Sequence, residues 1–192
     1  NDYAAEENER IVRRAFEIAS RRRKLVTSID KQNVLATSKL WRQVANQVAK
    51  DYPDVTLEHQ LVDSAAMLMI TRPSHFDVLV TENLFGDILS DEASVLPGTL
   101  GVMPSASHSA NGPSLYEPIH GSAPDIAGQD IANPVSMILS VAMMLRESFG
   151  QEEGAARIEQ AVDAAFKEGV LTADLGGRAS TQEMTQAIIK NL

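Results

Sequence analysis

The sequence predicts an α/β fold divided into two domains. Short apolar, strand-like segments alternate with amphipathic helical segments along most of the chain. Gly and Pro thicken between Pro97 and Pro124, which marks Pro97-Gly98 as a hinge or domain edge. The 192 residues suffice for one ordinary domain or two small ones, and their 44% apolar and 22% charged content is that of a globular protein.

The first helix is expected over 6–22, with Ile11, Ala15, Ile18 and Ala19 as its apolar stripe. Its basic end, Arg21 to Lys24, reads as cations facing the negative end of the helix dipole. A strand follows over 25–29. The second helix, over 38–50, puts Leu40, Trp41, Val44 and Val48 on one face, and Tyr52-Pro53-Asp54 stops it. Residues 55–62 alternate like a half-buried strand. Asp63 reads as the cap of a helix running through Met69. A buried strand over 76–80 and a helix over 84–95 come next. Past the Pro/Gly stretch, strand-like pieces are expected over 102–107 and 115–119. Helices follow over 134–149, with Pro134 in the first turn, and over 155–167. Ser180 and Glu183 form a capping box for a last helix ending near Lys190. The methionines Met67, Met69, Met137, Met143 and Met144 read as core packing.

Composition excludes several classes. No cysteine occurs, so disulfide scaffolds, zinc-thiolate sites and thiol nucleophiles are out, and a cytoplasmic location fits. With 17 basic against 26 acidic residues the formal charge is −9, which argues against general nucleic-acid binding. No apolar run approaches the ~20 residues of a membrane span, and no signal peptide opens the chain. No internal repeat, P-loop, GxSxG elbow or GxGxxG fingerprint occurs.

Three segments carry candidate chemistry. In TENLFGDILSD, from Thr81, a strand ends and a helix begins. Asp87 and Asp91 lie four apart on one helix face. They are either two solvated aspartates or ligands of a hard divalent cation such as Mg2+. In SIDKQNVL, from Ser28, Lys31 stands at a strand end. It is either a surface lysine or a base, the latter if its surroundings favour the neutral amine. Asn33 serves a turn or a ligand amide. In EPIHGSAPDIAG, from Glu117, the small residues Gly121, Ser122 and Ala123 let the backbone approach a ligand closely. Asp125 has the chemistry to accept from a ribose diol.

Taken together, SIDKQNVL, ENLFGDILSDEASVLPGTLG, EPIHGSAPDIAG with IANP at 131–134, and DLGG from Asp174 resemble the isocitrate/isopropylmalate β-decarboxylating dehydrogenase family. The resemblance runs along the whole chain but covers only the C-terminal half of the family pattern. It therefore implies an incomplete form of the isopropylmalate-dehydrogenase-like two-domain α/β fold, with the N-terminal half missing. Residues 1–97 would be the remainder of the dimerising and substrate domain, and 98–192 the C-terminal part of the split NAD-binding domain. The family's substrate-clamping arginines and catalytic tyrosine lie upstream, and Tyr3 does not correspond to that tyrosine.

The implied reaction is NAD-dependent oxidative decarboxylation of (2R,3S)-3-isopropylmalate to 2-oxoisocaproate and CO2, in leucine biosynthesis, with Mg2+ or Mn2+. By the match, Asp87 and Asp91 ligate the metal. Asp63 joins them from the partner subunit of a homodimer, and Lys31 is the base, also acting in the partner's site. The cofactor would be held by His120, Gly121, Ser122, Ala123, Asp125, Ile126 and Asn133, with Glu117 and Asn33 near the nicotinamide. By the same match, the Asp125-Ile126 pair resembles the NAD-preferring form. The alternatives are a relative acting on tartrate/malate, isocitrate or homoisocitrate, or an inactive fragment retaining dimerisation surface and partial cofactor contacts.

Overall fold

The computed structural model describes residues 4–109 and 111–192, so Tyr3 lies outside the described residues. The chain divides into two compact units, one ending at Ala93 and the other beginning at Ser94, just ahead of the edge expected at Pro97-Gly98. Gly98 adopts φ +88°, left-handed backbone that glycine takes without strain.

The first unit comprises α1 (Ala5–Ser20), β1 (Leu25–Asp30), α2 (Ala36–Ala49), β2 (Thr56–Leu61), α3 (Val62–Thr71), β3 (Val78–Val80) and α4 (Asn83–Ser94). The strands form a parallel sheet in the order β2-β1-β3. Leu25 pairs with Thr56, Asp30 with Leu61 and Val26 with Val78. Central β1 is buried from Val26 onward, because helices cover both faces. On one face Val26 and Val80 pack with Val12, Phe16, Trp41 and Val48 of α1 and α2. On the other, Ile29 packs with Ala65, Met69, Phe76 and Leu89, drawn mainly from α3 and α4. Val26 and Ile29 are an odd number of residues apart, so the strand's alternation sends them to opposite faces.

Several expectations shift. The buried stripe of α1 is Asn8, Val12, Ala15, Phe16 and Ala19, while Ile11 and Ile18 are exposed. The burial pattern is rotated toward the residues that face α2 and the sheet. The basic run lies past the last helical turn. There Arg22 bonds the buried carboxylate of Asp77 at 2.9 Å, and Arg23 donates to the Ser74 carbonyl at 2.8 Å. These arginines tie the segment before β3 to the segment before β1. They do not serve the α1 dipole. Asp63 lies within the first turn of α3. The cap position is Leu61, because β2 runs into the helix without a break. Met69 is core, but Met67 is exposed, as is Met137 in the second unit.

The second unit holds an antiparallel pair, β4 (Pro104–Ser107) and β5 (Leu115–Pro118), covered by α5 (Val135–Phe149), with α6 (Glu152–Lys167) packed on α5 and α7 (Thr181–Lys190) on α6. Pro134 is the residue before α5, one position ahead of the expected first turn. Ser136 and Ser140 let α5 approach the strands, their hydroxyls donating to the carbonyls of Met103 and Glu117. Val135, Val162, Ala165, Met184 and Ile188 form this unit's core. The capping box forms as expected: Glu183 N donates to Ser180 Oγ at 3.1 Å and Ser180 N to Glu183 Oε2 at 2.8 Å. Among the described residues no helix is long and apolar enough to cross a membrane.

Candidate functional site

In a parallel sheet all strand C-termini point to one edge, and in the first unit that edge gathers the chemistry. Asp30 ends β1 with its side chain 1% exposed, and Arg42 of α2 grips both its oxygens at 2.8 and 3.1 Å. Gln32 N adds a bond at 2.9 Å. This anchor fixes the turn that carries Lys31, whose backbone N–H donates to Ser38 Oγ at 3.1 Å. Its carbonyl accepts from Val34 and Leu35, both at 2.9 Å. Lys31 Nζ then forms a close ion pair with Asp63 Oδ1 on the first turn of α3. The Lys31 ammonium, with help from a backbone N–H, holds the Asp63 carboxyl below its ordinary range. The structure therefore brings Lys31 and Asp63 together at one end of one sheet. Asn33 stands exposed in the turn two residues beyond Lys31.

Asp87 and Asp91 are both exposed on α4, at the spacing that puts them on one face. Asn83 Nδ2 donates to Asp87 at 3.1 Å. Two carboxylates suit Mg2+ or Mn2+, which take one or two protein carboxylates and leave the remaining positions to substrate and water. Among the described residues no group of three or more His, Asp or Glu side chains forms a complete cage. A site of this kind needs oxygen ligands from outside α4.

The second unit contains a cleft of about 840 Å3. His120, Gly121, Ser122, Ala123, Ile126 and Asn133 all line it, together with Thr99, Leu100, Gly101, Asp130, Ile131, Ala173, Asp174 and Thr181. Glycine and alanine keep its wall low. Ala123 sits at φ 42°, left-handed backbone that costs a non-glycine residue and recurs at ligand sites. Asp125 is in the same short turn, Pro124–Ile126, but does not line the cleft, and its side chain is exposed. Glu117 lies on β5, paired with Ser105, away from the lining.

The floor is stitched from distant segments. Asp130 receives Thr181 N on its carbonyl at 2.9 Å and Gln182 N on its carboxylate at 3.1 Å, so it serves the start of α7. Asp174 accepts from Thr172 Oγ1 at 2.5 Å, Thr99 Oγ1 at 2.7 Å and Asn133 Nδ2 at 3.0 Å. Partial desolvation pushes the Asp174 carboxyl upward, but these three donors outweigh it and hold the group below its ordinary range. Gly101 has no room for a side chain: a Cβ there would stand 2.7 Å from Asp174 Oδ2 and 2.8 Å from Asn133 Cβ. Sequence reasoning singled out DLGG at Asp174 only as a family motif. Nothing local in the sequence connects it to Thr99 or Asn133.

Comparison with known proteins bears on both sites. A family model described as isocitrate/isopropylmalate dehydrogenase matches residues 1–188. The chain is 78% identical over all 192 residues to a 3-isopropylmalate dehydrogenase of Streptococcus thermophilus and 72% identical to one of Lactococcus lactis. It spans 56% of the length of each of these relatives. An isocitrate dehydrogenase from Methylococcus capsulatus superposes with a TM-score of 0.92 at 44% identity, covering 99% of this chain and 57% of that one. A β-decarboxylating dehydrogenase from Thermococcus kodakarensis, solved in its apo form, gives 0.91 at 40%, covering 99% and 56%.

Proposed function

The chain belongs to the isocitrate/isopropylmalate dehydrogenase family, and from that premise we propose that it serves the NAD-dependent oxidative decarboxylation of 3-isopropylmalate. One observation carries the reading: the family-matched residues His120 to Ala123, Ile126 and Asn133, spread over one loop, converge on a single cleft. The substrate follows from the 78% identity to an enzyme named for it, against 44% to the isocitrate enzyme. Leucine biosynthesis is the pathway this implies.

The cleft lined by His120, Gly121, Ser122, Ala123, Ile126 and Asn133 would hold NAD, which would supply the hydride acceptor for oxidation at the substrate's hydroxyl carbon. Asp87 and Asp91, with Asp63 from a second copy, would hold Mg2+ or Mn2+, which would supply Lewis-acid chemistry there. The protein's own groups do the rest. The Lys31 amine takes the hydroxyl proton, which requires that its ion pair with Asp63 first open. With the hydroxyl carbon oxidised to a ketone, the carboxylate β to it leaves as CO2. The carbon it leaves takes a proton, giving 2-oxoisocaproate. The small residues Gly121, Ser122 and Ala123 give the cofactor close access to the loop backbone, and Asp125 and Ile126 set the preference for NAD. Asn33 and Glu117 belong to the nicotinamide end of this scheme.

A homodimer fits the same reading. Met67 and Ile70 on α3, and Leu84 and Ile88 on α4, are exposed apolar residues on the two helices that also carry Asp63, Asp87 and Asp91. Association through these helices would deliver Lys31 and Asp63 to the partner's metal site. Residues 1–97 then act as the dimerising part and 98–192 as the cofactor part.

The test follows NADH at 340 nm with the chain, 3-isopropylmalate, NAD+ and Mn2+, alongside Lys31→Ala. Turnover that Lys31→Ala lacks is the expected result, and turnover retained in the variant removes Lys31 from the base role. NADH fluorescence reads the cleft independently, and no binding there overturns its assignment to the cofactor.

A further inference from the structure

We infer that Asp174 is a positioning residue: its carboxylate fixes the side chains of Thr99 and Asn133 at the floor of the cleft and so sets the affinity for a dinucleotide. This rests on the cofactor reading of that cleft.

The argument is proton bookkeeping. Thr99 Oγ1 accepts from Gly101 N at 3.0 Å, so its own proton goes to Asp174 Oδ2 at 2.7 Å. Asn133 Oδ1 accepts from Val135 N at 3.0 Å, so its amino end faces Asp174 Oδ2 at 3.0 Å. Thr172, fully buried, donates to Asp174 Oδ1. Three donors converge on one side chain, and only an ionised carboxylate accepts them all. A carboxamide supplies a single oxygen, and its amino end would meet a donor. With both ends engaged, the Asn133 amide cannot flip, and it presents its second Nδ2 proton in one fixed sense. Gly101 closes the arrangement from behind, since any side chain there would strike Asp174 and Asn133. The turn bearing Asp174 is itself closed by Leu175 N and Gly177 N on the Thr172 carbonyl, at 3.0 and 2.9 Å.

The experiment titrates NADH fluorescence on the 192-residue chain as wild type, Asp174→Asn, Thr99→Val, Thr99→Ser and the Asp174→Asn/Thr99→Val double variant. Thermal unfolding and Mn2+ binding are read in parallel. Asp174→Asn and Thr99→Val should each weaken NADH binding roughly five- to tenfold, the net size of one hydrogen bond. Thr99→Ser, which keeps the hydroxyl, should bind as wild type. The double variant should bind no more weakly than Asp174→Asn alone, because both break one network. Mn2+ affinity should not move. Folded variants that lose thermal stability yet bind NADH as wild type overturn the inference and leave Asp174 a purely structural group. Wild-type chain that fails to bind NADH overturns the cofactor reading, and the inference with it. If Asp174→Asn does not fold, the comparison of Thr99→Val with Thr99→Ser decides.

Discussion

Replacing Arg42 with Met strands a carboxylate inside the first unit. Asp30 is 1% exposed on its side chain, and Arg42 supplies two of its bonds, at 2.8 and 3.1 Å. Among the described residues, the Gln32 N–H, at 2.9 Å, is the donor that would stay with it. Removing one partner of a buried pair typically costs 3–5 kcal/mol, and the 22% exposure of Arg42 would let some water in, so about 3 kcal/mol is expected. For a chain of this size that lowers the melting temperature by roughly 10 °C. The double variant Asp30→Asn/Arg42→Met removes the stranded charge and should recover most of the loss. Differential scanning calorimetry on the four members of the cycle measures the coupling directly. A single-variant loss below about 1 kcal/mol, the range of an ordinary surface pair, would refute the claim that this ion pair anchors the Lys31 turn.

Gly101→Ala should destabilise the second unit by about 2 kcal/mol through overpacking against Asp174 and Asn133, and should weaken NADH binding in the same samples. Because Lys31 lowers the Asp63 carboxyl, the ion pair contributes above the ordinary value of 3.8 and is lost as pH falls through the lowered one. A carboxyl-carbon NMR titration should therefore find the Asp63 midpoint below 3.8, moving back up in Lys31→Met. Ser180→Ala should cost about 1 kcal/mol by removing the cap of α7, read as a shift in the chemical-denaturation midpoint.

What the sequence made legible is what short-range physics decides. Among the described residues every α-helix and strand lies within a few residues of its expected place, and the Ser180–Glu183 box is readable because its two bonds close over three positions. The loop from His120 to Ile126 was recognisable from its small residues, and the cleft uses it. What stayed hidden depends on partners far along the chain. Arg22 meets Asp77 across 55 residues, and Thr99 meets Asp174 across 75. The α1 stripe is half legible: Ala15 and Ala19 are buried as expected, but Ile11 and Val12 are equally apolar, and only the position of α2 and the sheet decides which of them is buried. Asp63 resembled a cap because strand-to-helix junctions usually break the chain, and this one does not.

The order β2-β1-β3 also constrains how the first unit comes into being. Of these three strands β1 is the first in the chain, and both of its neighbours come later, β3 only at residues 78–80. β2, at Thr56–Leu61, closes one flank of Val26 to Ile29, and the other flank stays open until β3 is made. Helices α1 and α2, which pack on one another and on Val26, are complete by residue 49 and can shield one face early. The face bearing Ile29 waits for α3 and α4. Newly made chains are therefore most prone to aggregate between the completion of α2 and the arrival of β3, and chaperone demand should concentrate in that interval.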